Sequence, residues 1–233
     1  MSADVKVKLL CLPYAGAGAS FYRHWQRQAG DALEIVPLQL PGRERLMDAE
    51  PYRDVHQAAD GLLADLAPAS GDRLALFGHS MGAVLAYELA HRLTRVPGVE
   101  VVRLFASGAR APFEQAGHGA TGLADDEFLD RVAELTGYRD PMLELEELRE
   151  LVLPVLRADI EMHERYAPST DLALAAPITA VRAEDDPLVS REDVAAWEKV
   201  AGRGFESAEV PGGHMYLLDD IGPLLRLVTS SVG

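Results

Sequence analysis

Short apolar runs alternate with stretches of helical period along this chain. Val5 to Leu12 opens with apolar-polar alternation and ends in Leu-Leu-Cys-Leu, which predicts a strand. Leu33 to Leu40, Leu74 to Phe77, Val99 to Ala106, Ile178 to Val181 and Phe205 to Val210 predict five more. Runs this short and this apolar suit strands covered on both faces. Helical patterns fall between them, over Ser20 to Ala29, Asp54 to Leu66, Met81 to Leu93, Arg191 to Ala201 and Ile221 to Val228. The Met81 to Leu93 stretch is apolar almost all round and should be buried. The alternation predicts an α/β fold, a mostly parallel sheet with helices on both faces.

The alternation is interrupted once, from about Ala111 to Ala176. Asp125 to Leu135 and Met142 to Arg165 carry helical patterns there, with charged faces. Pro154 should kink or divide the second. Roughly 65 residues between two strands is long for a crossover, so this insertion is expected to form a helical lid over one end of the sheet. Apolar residues in it, such as Phe128, Leu135, Met142, Leu145 and Met162, either line a chamber or pack the lid helices together.

Composition narrows the class. With 233 residues, 48% hydrophobic and 25% charged, the chain reads as one domain, 1–233, able to bury its own core. Its single cysteine, Cys11, leaves no internal disulfide and no thiolate metal cluster. Lys plus Arg number 22 against 37 for Asp plus Glu, a net charge of −15. That balance disfavours nucleic acid and anionic membrane surfaces, both of which select basic patches. There is no signal-peptide apolar region and no membrane-length apolar run, so a cytoplasmic protein is expected.

The chemistry concentrates in one pentapeptide. Gly78-His79-Ser80-Met81-Gly82 follows a strand and opens the most apolar helix. G-x-S-x-G in that context is a nucleophile elbow, which exposes the serine hydroxyl on a strained turn at a helix N-terminus. A serine needs a base, and the base an orienting acid; in this fold the chain order is serine, acid, histidine. Of the seven histidines, His24, His56, His79 and His91 come too early. His118 and His163 fall in the insertion, where an ordinary polar role is expected. His214, in Pro211-Gly212-Gly213-His214-Met215 after the last strand, is the candidate base. The acid belongs after the strand ending at Val181. Asp186 is preferred, because Pro187 disfavours helix at the preceding residue; Asp185 competes and Glu184 is more distant. The oxyanion donors are expected to be the backbone N–H groups of Met81 and of Ala15, in the small-residue loop Pro13 to Gly18. That loop lacks the third glycine and the Lys-Ser/Thr of nucleotide sites.

With these motifs in place, the chain resembles the type II thioesterases, the editing enzymes of polyketide and nonribosomal peptide synthesis. The matching stretches are Leu12 to Gly18, Pro41-Gly42-Arg43-Glu44, Gly78 to Gly82, Asp185 to Val189 with Trp197, and Pro211 to Met215. Ala183 stands where the family often has glycine before the acid, and Met215 where an aromatic often follows the histidine. The resemblance implies an α/β-hydrolase fold, a lid, no metal or other cofactor, and a Ser80–His214–Asp186 triad. It also implies hydrolysis of acyl groups from the phosphopantetheine arm of an acyl or peptidyl carrier protein. The extra antiparallel strands of larger hydrolases are expected to be absent. Rival readings are a generic carboxylesterase or lipase, an excised chain-terminating domain, and a silent hydrolase fold used for binding. A carrier protein of this kind is expected to be acidic, so docking should rely on a local basic patch, with Arg43, Arg45, Arg23 and Arg27 as candidates.

Overall fold

The computed structural model describes residues 6–115, 117 and 119–232. Val5, where the first strand was expected to begin, and His118 lie outside the described residues. Six strands form one parallel sheet in the order β2-β1-β3-β4-β5-β6. They are β1 (Lys8–Leu12), β2 (Glu34–Pro37), β3 (Arg73–His79), β4 (Glu100–Ser107), β5 (Ile178–Ala183) and β6 (Phe205–Val210).

Side chains alternate across a strand, so each apolar run feeds two cores. Leu10, Leu12, Leu74, Leu76, Leu104 and Ala106 pack on one face, beneath α2 (Val55–Leu66) and α3 (Met81–Leu93). Leu9, Cys11, Ala75, Phe77 and Phe105 pack on the other, against Tyr22, Trp25 and α7 (Gly222–Val232). Cys11 is therefore a buried free thiol. The helix expected over Ser20 to Ala29 is split into a 3-10 turn (Ala19–His24) and a short α1 (Trp25–Ala29). The one expected over Arg191 to Ala201 is likewise α6 (Arg191–Ala195) followed by a 3-10 turn.

Between β4 and β5 the chain forms α4 (Asp125–Thr136) and α5 (Glu146–Glu164). Pro154 does not divide α5. It lies on an exposed face beside exposed Glu150, so the carbonyl deprived of its amide donor is open to water. Of the apolar residues weighed for chamber lining or lid packing, none lines the cavity beside Ser80. Phe128 packs in a small core with Leu129, Leu143 and Leu153, while Met162 joins the main core. Met142 and Leu145 are exposed, and Leu135 is half-buried outside the cavity lining. The cavity beneath the lid helices is lined by Leu129 and Val132 of α4, by Val152, Leu156 and Ile160 of α5 and by Leu143 between them, of which Leu129, Leu143 and Leu156 also belong to the small lid core.

The two motif glycines are required by the close approach of α3 to the ends of β3 and β1. A Cβ at Gly78 would sit 1.9 Å from the Gly82 carbonyl oxygen, and one at Gly82 would sit 2.8 Å from the carbonyl oxygens of Leu12 and Pro13. Backbone cannot yield as a side-chain tip can. Gly78→Ala should therefore destabilise the protein by about 3 kcal/mol in urea unfolding. Gly213→Ala, where a Cβ meets nothing within 4 Å, should change stability by less than about 0.5 kcal/mol.

Candidate active site

Ser80 lies between the end of β3 and the first turn of α3, with φ 53° and ψ −123°. A positive φ is strained for any residue with a Cβ. It is held here because the Ser80 N–H donates to the Ser107 carbonyl at 2.8 Å and the Ser80 carbonyl accepts from Ala83 N–H at 2.9 Å. The result is a hydroxyl lifted above the strand ends at a helix N-terminus. Met81 N–H is the first amide of α3 and has no intrahelical acceptor. Ala15 lines the same cavity as Ser80, in the loop after β1.

His214 and Asp186 come from the loops after β6 and β5. Backbone bonds stitch these loops together, with Glu184 N–H donating to Val210 at 2.9 Å and Asp185 N–H to Gly212 at 3.0 Å. His214 Nδ1 lies 2.9 Å from Asp186 Oδ2, with both side chains buried. The other Asp186 oxygen accepts from Leu188 N–H at 2.9 Å. Asp185 and Glu184 are exposed. A carboxylate at Nδ1 fixes the proton there and leaves Nε2 as an acceptor. His214 Nε2 is buried and has no hydrogen-bond partner. An unsatisfied buried nitrogen calls for an explanation, and its position supplies one: His214 and Ser80 together border both the cavity of about 140 Å³ under the lid helices and a smaller one of about 20 Å³ beside Arg110 and Leu188.

Two residues near the site were not anticipated. His79 was set aside by chain order, yet its ring lies 4.8 Å from that of His214, centroid to centroid. His79 Nδ1 pairs with Ser107 Oγ at 3.0 Å, and Ser107 Oγ with the Tyr216 hydroxyl at 2.9 Å. Burial, and then repulsion from His214, holds the His79 pKa well below the ordinary imidazole value, so it stays neutral and serves as packing beneath His214. Asp159 is the second. It shares a buried face of α5 with Val155, Ala158 and Met162, and a lone carboxylate at that spacing was the available signal, since buried charge is rare unless paired. Its partner is Arg43. That residue is 8% exposed and makes a bidentate pair with Asp159 at 2.6 and 2.8 Å. Arg43 is therefore unavailable to a surface docking patch, whereas Arg23, Arg27 and Arg45 are exposed.

An elbow serine with a buried His–Asp pair at the ends of parallel strands defines the α/β-hydrolase class. Within that class, the thioesterase domain family matches residues 7–231; the chain belongs to this family and is a thioester hydrolase. It is 31% identical over 220 residues to the gramicidin S biosynthesis protein GrsT of Aneurinibacillus migulanus, covering 94% of this chain and 86% of that one. It is 34% identical over 214 residues to thioesterase PikA5 of Streptomyces venezuelae, covering 91% and 76%. Among solved structures it superposes on RedJ, a thioesterase from the prodiginine biosynthetic pathway of Streptomyces coelicolor, with a TM-score of 0.87 and 34% identity over 97% of this chain and 85% of that one. Among the described residues no helix is long and apolar enough to cross a membrane.

Proposed function

We propose that this protein is a type II thioesterase of polyketide or nonribosomal peptide assembly, acting in the cytoplasm on acyl groups carried by the phosphopantetheine arm of a carrier protein. The observations that carry the chemistry are the strained Ser80 and the buried, unpartnered His214 Nε2, which belongs to a ring paired with Asp186 and bordering the same two cavities as Ser80. Membership of the thioesterase family and likeness to proteins named for such pathways support the substrate class. His214 takes the Ser80 proton as Oγ attacks the thioester carbonyl. The amides of Met81 and Ala15 stabilise the resulting oxyanion. The intermediate collapses and the thiol leaves, taking a proton from His214. Water, deprotonated by His214, then attacks the acyl-enzyme, and the free acid departs as Ser80 is regenerated.

The acyl group occupies the 140 Å³ cavity between α4, α5 and the loop after β1. The test is release of free acid from a panel of acylated carrier proteins, set against matched simple esters. A kcat/KM for carrier thioesters at or below that for the esters would favour the carboxylesterase reading and sink this one.

The lid, residues 111–176, gates that cavity. Lids come from the less stable parts of a fold, but this one is fastened unevenly. Ala158 and Met162 of α5 are buried against the body, whereas α4 rests on a small core of its own. Hydrogen exchange should therefore be fastest over 119–145, intermediate over 155–164 and slowest in β3 and β4. Uniform protection across the three would count against gating.

A further inference from the structure

Asp159 is 1% exposed and has no part in the triad chemistry, yet it reaches from the lid to the active-site loop. Its Oδ2 accepts from Arg43 Nη1 at 2.6 Å and from Gly16 N–H at 2.8 Å, and its Oδ1 accepts from Arg43 Nη2 at 2.8 Å. Arg43 Nη1 also donates to the Ala17 carbonyl at 3.0 Å. The next residue, Glu44, accepts from Ser20 N–H at 2.9 Å and from the Ser20 hydroxyl. Consecutive residues of the Pro41-Gly42-Arg43-Glu44 turn thus brace the C-terminal side of the loop that contains Ala15, at Ala17 and Ser20. Residues 15–19 of that loop are all Ala or Gly and have no side chains of their own to fix it. A buried ion pair is a poor way to gain stability, because desolvation offsets most of the attraction. Its placement suggests another use.

We propose that Arg43 and Asp159 are positioning residues that hold the Ala15 amide in oxyanion-binding geometry and make that geometry depend on the seating of α5. Gly16 N–H, one residue from the Ala15 donor, is bonded to a carboxylate that belongs to the lid. When α5 is seated, the loop is pinned at Gly16 and Ala17. When α5 lifts, Gly16 N–H loses its acceptor, Arg43 loses the carboxylate that steadies it against Ala17, and the oxyanion site loosens. Lid closure and completion of the catalytic geometry are then one event. The inference rests on the assignment of Ala15 as an oxyanion donor.

The test uses a small soluble acyl thioester, which needs no carrier docking, and a fluorophosphonate, whose reaction with the serine also draws on the oxyanion site. Asp159→Asn should lower kcat by a factor on the order of 10 to 100, the scale of an ångström-level misplacement. KM should stay within about threefold, and the inactivation rate should fall in parallel with kcat. Removing one partner of a buried pair can unfold a protein, whereas replacing both with apolar residues is often tolerated. The double variant Arg43→Met/Asp159→Leu should therefore melt near wild type yet keep the low kcat, because Gly16 N–H has lost its acceptor. Wild-type kcat in a folded double variant would overturn the proposal, as would a loss confined to KM. Should wild type itself neither turn over the thioester nor be labelled at Ser80, the functional reading falls and the positioning role with it. An active, labelled wild type alongside equally active variants rejects the positioning role alone.

Discussion

Replacing Ser80 with alanine is expected to lower kcat for an acyl-carrier thioester by a factor on the order of 10⁶, with the fold unchanged. Two features of the local structure separate the chemistry from the folding. The φ of 53° at Ser80 strains serine and alanine alike, since both carry a Cβ, and the bonds that hold the turn come from the Ser80 backbone rather than its hydroxyl. The variant should thus melt within a few degrees of wild type. What it loses is the covalent step. His214 Nε2 then has no hydroxyl to deprotonate, and residual turnover can come only from water attacking a carbonyl already polarised by the oxyanion site. Intact-mass spectrometry during turnover should show an acyl adduct on wild type and none on Ser80→Ala. Retention of a tenth of wild-type activity would rule out the serine mechanism.

The parts of this protein that were legible in its sequence are those where one local rule acts alone. The inner strands β1, β3, β4 and β5 were visible because a strand buried on both faces must be largely apolar, whereas the partly exposed edge strands β2 and β6 were visible through their place in the strand–helix alternation. The elbow was visible because Gly78 and Gly82 are compelled by backbone contact, and contact of that kind leaves no choice of residue. What escaped reading depended on two distant segments meeting. Arg43 looked like a surface cation because its partner Asp159 lies 116 residues away. Which apolar residues of the insertion line the cavity was left open: Leu129 and Val132 border it while neighbouring Phe128 does not, and hydrophobic period cannot say which of two apolar faces meets which neighbour. The position of His79 beside His214 follows from the tertiary meeting of the strand ends and has no local signal.

The choice between Asp186 and Asp185, adjacent in sequence and equivalent in composition, yields the sharpest pair of variants. Asp186→Asn should lower kcat by roughly 10⁴, the scale seen when a triad acid is neutralised, whereas Asp185→Asn should stay within about twofold of wild type. Asp186 spends both carboxylate oxygens, one on His214 Nδ1 and the other on Leu188 N–H. An asparagine at 186 has one acceptor and one donor to offer to the same two partners. If its oxygen faces His214, its NH2 meets the Leu188 N–H donor to donor, and the loop loses an anchor. If its NH2 faces His214, Nδ1 must act as the acceptor, the ring proton moves to Nε2, and the imidazole can no longer take the Ser80 proton. In neither arrangement is there a negative charge to stabilise the imidazolium formed during attack. Asp185, exposed at the tip of the same loop, makes no such bond, so its neutralisation should pass unnoticed by the chemistry. Thermal melts of both variants alongside steady-state kinetics would separate loss of the loop anchor from loss of the proton acceptor. Equal losses in the two variants, or a greater loss at 185, would remove Asp186 from the triad.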